Sequence, residues 1–214
     1  MTKQSLQYDD EIRQHYPVFV GCDEVGRGCL AGPIVTAAVI LPPHIDIEGV
    51  LDSKKTRKQD HEMLAHRIFD AAIEVEIGIK SAQEIDRVGI LEADRQAMRD
   101  SIASLHVKSD LILIDGDQRQ LLGTQYPEKT LIKGDAKSLT IGAASLMAKY
   151  IRDRLMTQYD QIYPDYGFAK NAGYGTQQHR DALTKLGITP IHRLTFEPVK
   201  SHYHEWPNYL QSQS

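Results

Sequence analysis

Two apolar runs near the start of the chain, Val18 to Asp23 and Pro33 to Leu41, are joined by little more than a glycine-rich stretch from Gly26 to Gly32. A parallel pair of strands needs a crossover of about a dozen residues or more, usually a helix. The connection here is too short, so the two runs must be antiparallel neighbours. Pro42-Pro43 stops the second, because proline cannot donate to a sheet ladder.

After this pair the pattern alternates. A helix is predicted from Arg57 to Ala72, then a strand from Ile73 to Ile79, where apolar and polar residues alternate. Ser81 with Glu84 three positions on is a capping-box pair that opens a short helix. A further helix covers Ile90 to Leu105, and Leu111 to Ile114 is a fully apolar fourth strand running into Asp115-Gly116. Lys129 to Lys133 reads as a short fifth strand, Ala136 to Gln158 as a long helix, and Gln177 to Leu186 as a helix ended by Gly187. The expected class is α/β, a mixed sheet flanked by helices with a nearly all-helical C-terminal third.

The length of 214 residues suits one domain with a small appendage. We divide it into an N-terminal arm over 1–17, a body over 18–201 and a flexible tail over 202–214. No apolar run reaches the roughly 18 residues of a membrane span, and the polar N-terminus lacks the apolar segment of a signal peptide. A cytoplasmic protein that makes no membrane contact is expected. The two cysteines, Cys22 and Cys29, are too few for a zinc site of the usual four ligands and read as small buried hydrophobes. The net charge of −4 is against a generic nucleic-acid binder, yet a sum hides local patches. Between Lys129 and Arg154 basic residues dominate, and Lys54, Lys55, Arg57 and Lys58 form a second island. Such islands suit a polyanionic ligand, although a solvated helix face has the same composition.

The placement of the acids is the more informative feature. Asp23 and Glu24 end the first strand, Asp115 ends the fourth, and Asp135 stands at the start of the long helix. Ligand sites in open α/β sheets gather at strand carboxyl ends. If the first and fourth strands are parallel neighbours, Asp23 and Asp115 leave the dry core side by side. Carboxylates brought together repel and their pKa values rise unless a cation joins them. Hard Mg²⁺ or Mn²⁺ ions take oxygen ligands and meet that need. Each acid also has a plain alternative: a turn at Asp115-Gly116, a helix cap at Asp135, an ion pair of Asp23 or Glu24 with Arg27. Independent alternatives at all four positions become improbable only once the strings around these acids are considered.

Two glycine-containing segments fail as nucleotide-cofactor motifs. Gly26-Arg-Gly-Cys-Leu-Ala-Gly32 leads into a strand, whereas a dinucleotide fingerprint must open a helix. Gly134-Asp-Ala-Lys-Ser138 lacks the glycine before lysine that a phosphate loop requires. What remains at the first is a backbone able to approach a ligand closely.

In order along the chain, Gly21-Cys-Asp-Glu-Val-Gly-Arg-Gly28, Leu30-Ala-Gly-Pro-Ile-Val35, Asp52-Ser-Lys-Lys55, Ile114-Asp-Gly116 and Lys133-Gly-Asp-Ala-Lys-Ser138 resemble the signature blocks of the ribonuclease HII family. Ala143-Ala-Ser145, Ala148-Lys149, Arg152-Asp-Arg154, Tyr166-Gly-Phe168, Gly173-Tyr-Gly-Thr176 and His192-Arg193 continue the series, so the resemblance covers about residues 18 to 199. It implies a ribonuclease H-like fold with a helical C-terminal extension. It implies that Asp23, Glu24, Asp115 and Asp135 are both the catalytic residues and the ligands of Mn²⁺ or Mg²⁺. Gly26, Arg27 and Gly28 are implied to read the 2′-hydroxyl, the group that distinguishes RNA from DNA. Tyr174 is implied to stack on the deoxyribose after the ribonucleotide, although a tyrosine packed beside glycines would look the same. The chain departs from the commonest pattern at Cys22, Cys29, Asp117 and Gly142, none of which removes an implied ligand.

The expected function is therefore an endoribonuclease that hydrolyses the RNA strand of RNA/DNA hybrids. It is also expected to nick duplex DNA 5′ of embedded ribonucleotides by two-metal catalysis, giving 5′-phosphate and 3′-hydroxyl ends. Lys54, Lys55, Lys137 and Lys149 are candidates for phosphate contacts, which position a duplex without reading its sequence. A monomer is expected. The rivals are a DNA-junction nuclease of the same fold, which has no use for 2′-hydroxyl recognition, and a non-catalytic hybrid-binding module, in which uncompensated acids would repel phosphate.

Overall fold

The computed structural model describes residues 2–50, 58–117 and 122–203. In chain order they form α1 (Thr2–Arg13), β1 (Phe19–Val25), β2 (Ile34–Ile40), α2 (Lys58–Ala71), β3 (Glu74–Lys80), α3 (Ala82–Val88), α4 (Ile90–Ala103), β4 (Leu111–Asp115), β5 (Glu128–Leu131), α5 (Gly134–Lys137), α6 (Leu139–Ile162), α7 (Phe168–Asn171), α8 (Gln177–Leu186) and α9 (Val199–Tyr203). The chain divides into two compact units. The first comprises residues 1–25, 35–79 and 94–151, and the second 26–34, 80–93 and 152–214.

The first unit holds a five-stranded mixed sheet in the order β3-β2-β1-β4-β5. As the short connection requires, β1 and β2 are antiparallel, with Gly21 opposite Val39 and Asp23 opposite Ala37. β1 and β4 are parallel, with Phe19 opposite Leu111 and Cys22 opposite Ile114. β4 and β5 are also parallel. Both faces of the central strands are covered, which is why Leu111 to Ile114 carries no polar residue. On one face Val20, Cys22, Ile112 and Ile114 pack with Met98 and Ile102 of α4. On the other, Phe19, Leu111 and Leu113 meet Ile141 of α6 and the α1 side chains Tyr8 and Ile12.

Two glycines set how closely the helices approach. A Cβ at Gly21 would lie 2.7 Å from the main chain of Thr140, so the first turn of α6 rests directly on β1. A Cβ at Gly78 of β3 would collide with the carbonyl of Ala97 in α4.

The N-terminal arm contains a helix the sequence pattern does not reveal. Its polar face hides Asp9, which is 2% exposed and accepts from the Thr140 amide at 2.9 Å and the Thr140 hydroxyl at 2.7 Å. Asp9 thus satisfies a donor in the first turn of α6. The long predicted helix is interrupted. Ser138, with extended φ −116° and ψ 125°, ends α5, and its hydroxyl accepts from the Ile141 amide at 3.2 Å in the first turn of α6.

The second unit contains α3, α7, α8 and α9. α3 carries the predicted capping box, with the Ser81 amide donating to Glu84 at 2.8 Å. One core gathers Ala31, Met156, Tyr166, Phe168, Ala172, Ala182 and Ile191. A second joins Leu30, Leu183, Ile188 and Val199. No helix among the described residues is long and apolar enough to cross a membrane.

Candidate active site

The parallel register of β1 and β4 decides where the acids go. Cys22 lies opposite Ile114, so the next residues, Asp23 and Asp115, leave neighbouring strands at the same end. Asp23 is 7% exposed, while Glu24 and Asp115 are half-buried. One Asp23 oxygen accepts from the Glu24 amide at 2.8 Å, and Ser145 of α6 donates its hydroxyl to the same carboxylate. These bonds do not offset the cost of the charge. Burial first, then the Glu24 carboxylate and more weakly that of Asp115, hold the Asp23 pKa well above its usual range.

Asp135 reaches the neighbourhood by a different route. Asp115 Oδ1 accepts from the Gly134 amide at 2.6 Å, which ties the end of β4 to the start of α5. Gly134 is confined there: a Cβ would lie 2.6 Å from Ile141 Cδ1 and 3.2 Å from Asp115 Oδ1. Lys133 turns the chain into α5 through a left-handed φ of 56°. Lys133 is the N-cap residue, so Asp135, inside α5 and buried, does not serve as its cap. Asp117 is exposed.

The donor chemistry of Asp23, Glu24, Asp115 and Asp135 fits a hard divalent cation, being all carboxylate oxygen, with Asp23 strained by burial and the neighbouring carboxylates of Glu24 and Asp115. The four do not draw three ligand atoms within 4.8 Å of one another; among the described residues that spacing occurs at Glu74, Glu76 and His106. What a cation would relieve is the charge on Asp23, which burial and the two neighbouring carboxylates penalise. Asp23→Asn should therefore stabilise the metal-free protein while removing its response to metal. Asparagine keeps an acceptor for the Glu24 amide and removes the buried charge. We expect the metal-free Tm to rise by about 3 °C, the response of a chain this size to roughly 1 kcal/mol. The further rise that Mg²⁺ or Mn²⁺ gives the wild type should be lost; a metal-free Tm below wild type would contradict the strain.

The Gly-Arg-Gly segment and Tyr174 belong to the second unit. Gly26 is buried with φ +101°, a Cβ there would collide with the Arg152 side chain, and Gly28 is exposed with open space around it. Two guanidiniums, both 0% exposed, hold this loop by its carbonyls. Arg152 donates to Pro33 at 2.9 Å, Ala31 at 3.1 Å and Ala172 at 2.7 Å. Arg193 donates twice to Gly32, at 3.1 and 3.0 Å, and to the carbonyl of Arg27 at 2.9 Å. Burial lowers the Arg193 pKa to about 10, which leaves the group charged at neutral pH. Leu30 N–H donates to the Gly173 carbonyl at 2.8 Å, joining the loop to the segment that carries Tyr174, a residue 42% exposed. Cys29 and Cys22 are buried and not disulfide-bonded, the Cys29 thiol donating to the Ala172 carbonyl at 3.6 Å, and burial pushes Cys22 far above its ordinary value.

Of the basic candidates, Lys137 is exposed on α5 and Lys149 half-buried on α6. Lys54 and Lys55 lie outside the described residues. Sequence reasoning assigned no role to Ser145, Arg152 or Arg193. The arginines sit inside recognisable blocks, but nothing in a linear pattern separates a buried arginine from a phosphate-binding one.

A family model described as Ribonuclease HII matches residues 20–199. The chain is 49% identical over 198 residues to Ribonuclease HII of Lactobacillus helveticus (strain DPC 4571), covering 92% of this chain and 78% of that protein. Among solved structures it is similar to the ribonuclease H2 from Pyrococcus horikoshii OT3, with a TM-score of 0.76, 26% identity, and coverage of 88% of this chain and 98% of that one. It is also similar to a chain in the PCNA:RNase HII complex from Archaeoglobus fulgidus, with a TM-score of 0.71, 25% identity, and coverage of 84% and 95%.

Proposed function

The chain belongs to the ribonuclease HII family, and is thus a hydrolytic endoribonuclease of RNA/DNA hybrids dependent on divalent metal; on that premise we propose that it also nicks duplex DNA immediately 5′ of embedded ribonucleotides. Cleavage leaves a 3′-hydroxyl and a 5′-phosphate. The observation that carries this reading is the pair of carboxylates at the adjacent ends of β1 and β4, where burial and the nearby Glu24 and Asp115 penalise a charge on Asp23.

Asp23, Glu24, Asp115 and Asp135 hold two Mn²⁺ or Mg²⁺ ions. When bound, such a pair supplies acidification of the attacking water and stabilisation of the leaving 3′-oxygen. The protein groups perform the rest. Ser145 and the Glu24 amide orient the Asp23 carboxylate, and the Gly134 amide orients that of Asp115. Gly26, Arg27 and Gly28 read the 2′-hydroxyl from a loop whose carbonyls are turned to Arg152 and Arg193. Tyr174 stacks on the following deoxyribose. Lys54, Lys55, Lys137 and Lys149 contact phosphates, so binding weakens steeply with salt. The chain acts as a monomer, and in the cytoplasm, a compartment where its two buried cysteines stay reduced.

The test is a DNA duplex with one embedded ribonucleotide, incubated with Mg²⁺, Mn²⁺ or EDTA beside an all-DNA control. Metal-dependent nicking 5′ of the ribonucleotide, with the control intact, is the expected result. Cleavage of a long hybrid without such nicking would overturn the roles of Arg27 and Tyr174. Binding to every duplex without turnover would favour the hybrid-binding module.

A further inference from the structure

Behind Tyr174 lie two buried histidines, His179 on α8 and His192, exposed by 0% and 2%. They form a continuous hydrogen-bonded chain. The Thr189 amide meets His192 Nδ1 at 2.8 Å, the two rings face each other Nε2 to Nε2 at 3.0 Å, and His179 Nδ1 lies 3.0 Å from the carbonyl oxygen of Tyr174. A main-chain amide can only donate and a carbonyl can only accept. From the first end, His192 Nδ1 must be bare and Nε2 must carry the proton. From the other end, His179 Nδ1 must carry the proton and its Nε2 must be bare. Both ends demand the same assignment, which makes the contact between the rings a donor facing an acceptor. An added proton on either ring would face donor against donor.

The surroundings hold the pair neutral. The Phe168 and His179 rings meet at right angles with centroids 5.2 Å apart, and the Tyr166 ring centroid lies 5.4 Å from that of His192. Tyr166, the titratable group facing the pair from the segment before α7, spends its hydroxyl on the Gly187 carbonyl at 2.8 Å. Burial, then repulsion from His179, lowers the His192 pKa to about 3, and burial lowers that of His179. The tyrosine main chain is tied at its other points too: its N–H donates to Asn171 at 2.9 Å, and its carbonyl also accepts from Thr176 N–H at 2.8 Å.

We propose that His179 and His192 are positioning residues that set the Tyr174 main chain and so aim its exposed ring at the sugar beside a ribonucleotide. The proposal rests on the reading of Tyr174 given above. The pair touches no substrate; it fixes one peptide whose side chain does.

The experiment combines histidine ¹⁵N NMR of the intact protein with steady-state cleavage of a single-ribonucleotide duplex. Opposite neutral tautomers, Nδ1–H on His179 and Nε2–H on His192, are expected, unchanged from pH 5.5 to 8; a charged ring or two like tautomers overturns the relay. Tyr174→Ala and His192→Phe should each raise KM about tenfold with little change in kcat, the scale of a lost stacking contact. Combined, they should do no more than Tyr174→Ala alone. His192→Gln, which offers an N–H in place of Nε2–H, should restore KM and keeps the test available if the phenylalanine variant misfolds. A further loss from His192→Phe in the Tyr174→Ala background would mean a general structural role and sink the proposal. Wild-type KM in His192→Phe, with KM raised in Tyr174→Ala, overturns the relay alone. Unchanged KM in Tyr174→Ala overturns the reading of the tyrosine and the proposal with it.

Discussion

Asp115→Asn should lose cleavage by about 10³-fold or more, while the Tm and the Kd for a ribonucleotide-containing duplex stay near wild type. Asparagine is close to isosteric with aspartate, and its Oδ1 still accepts from the Gly134 amide, so the tie between β4 and α5 survives. What is removed is one negative oxygen donor beside Asp23. A loss of 10³ corresponds to about 4 kcal/mol of transition-state stabilisation, and is the upper range seen when one preorganised electrostatic group is deleted. Single-turnover cleavage, with duplex Kd measured in EDTA, separates the terms. Near-wild-type cleavage would remove Asp115 from the catalytic set. Loss of Tm in parallel with activity would mean that the carboxylate is needed by the fold.

Arg152→Met should be the most damaging single change to stability in the second unit. The guanidinium is fully buried and satisfies three main-chain carbonyls, those of Ala31, Pro33 and Ala172. Methionine fills similar volume and donates nothing. A hydrogen bond to a charged group contributes about 1.5–3 kcal/mol, and a buried acceptor left alone costs about 1–3 kcal/mol. Relaxation and water entry recover part of this, so a net loss of about 3 kcal/mol or more is expected. The Tm should fall by roughly 10 °C in a chain of this length. Cleavage of the single-ribonucleotide duplex should fall as well, because the carbonyls that shape the Gly-Arg-Gly loop are no longer held inward. Arg152→Lys, which keeps the charge but cannot span three acceptors, should lie between. A Tm within about 2 °C of wild type would show that the loop is held by other means.

Asp23 and Asp115 stand out in the sequence because carboxylates at strand ends interrupt apolar runs, and an interruption is visible in a string. The strand pattern was legible for a related reason. Val18 to Asp23 and Leu111 to Ile114 are buried on both faces, so they carry continuous apolar residues of strand length. The short glycine connection set the antiparallel pair without any tertiary information, and Ser81 with Glu84 placed a helix start to the residue.

Helix α1 was not legible, since its polar residues outnumber the few that pack inward, and the burial of Asp9 depends on Thr140, distant in sequence. The break between α5 and α6 was missed because Ser138 is compatible with a helix and leaves it only to cap the next one. His179 and His192 stand 13 positions apart with no periodic relation.

By itself, then, the sequence determined which residues are strands, that the first two run antiparallel, and which carboxylates stand at the strand ends. These follow from local sterics, apolar periodicity and residue type, all of which are properties of neighbours along the chain. Only the tertiary structure decided that β1 lies beside β4 in parallel register, that Asp23 is crowded by Glu24 and Asp115, that Arg152 and Arg193 turn the loop carbonyls inward, and that two histidines meet behind Tyr174. The physical reason is that burial and electrostatic coupling arise between residues far apart in the chain, and become defined only once packing excludes water from between them.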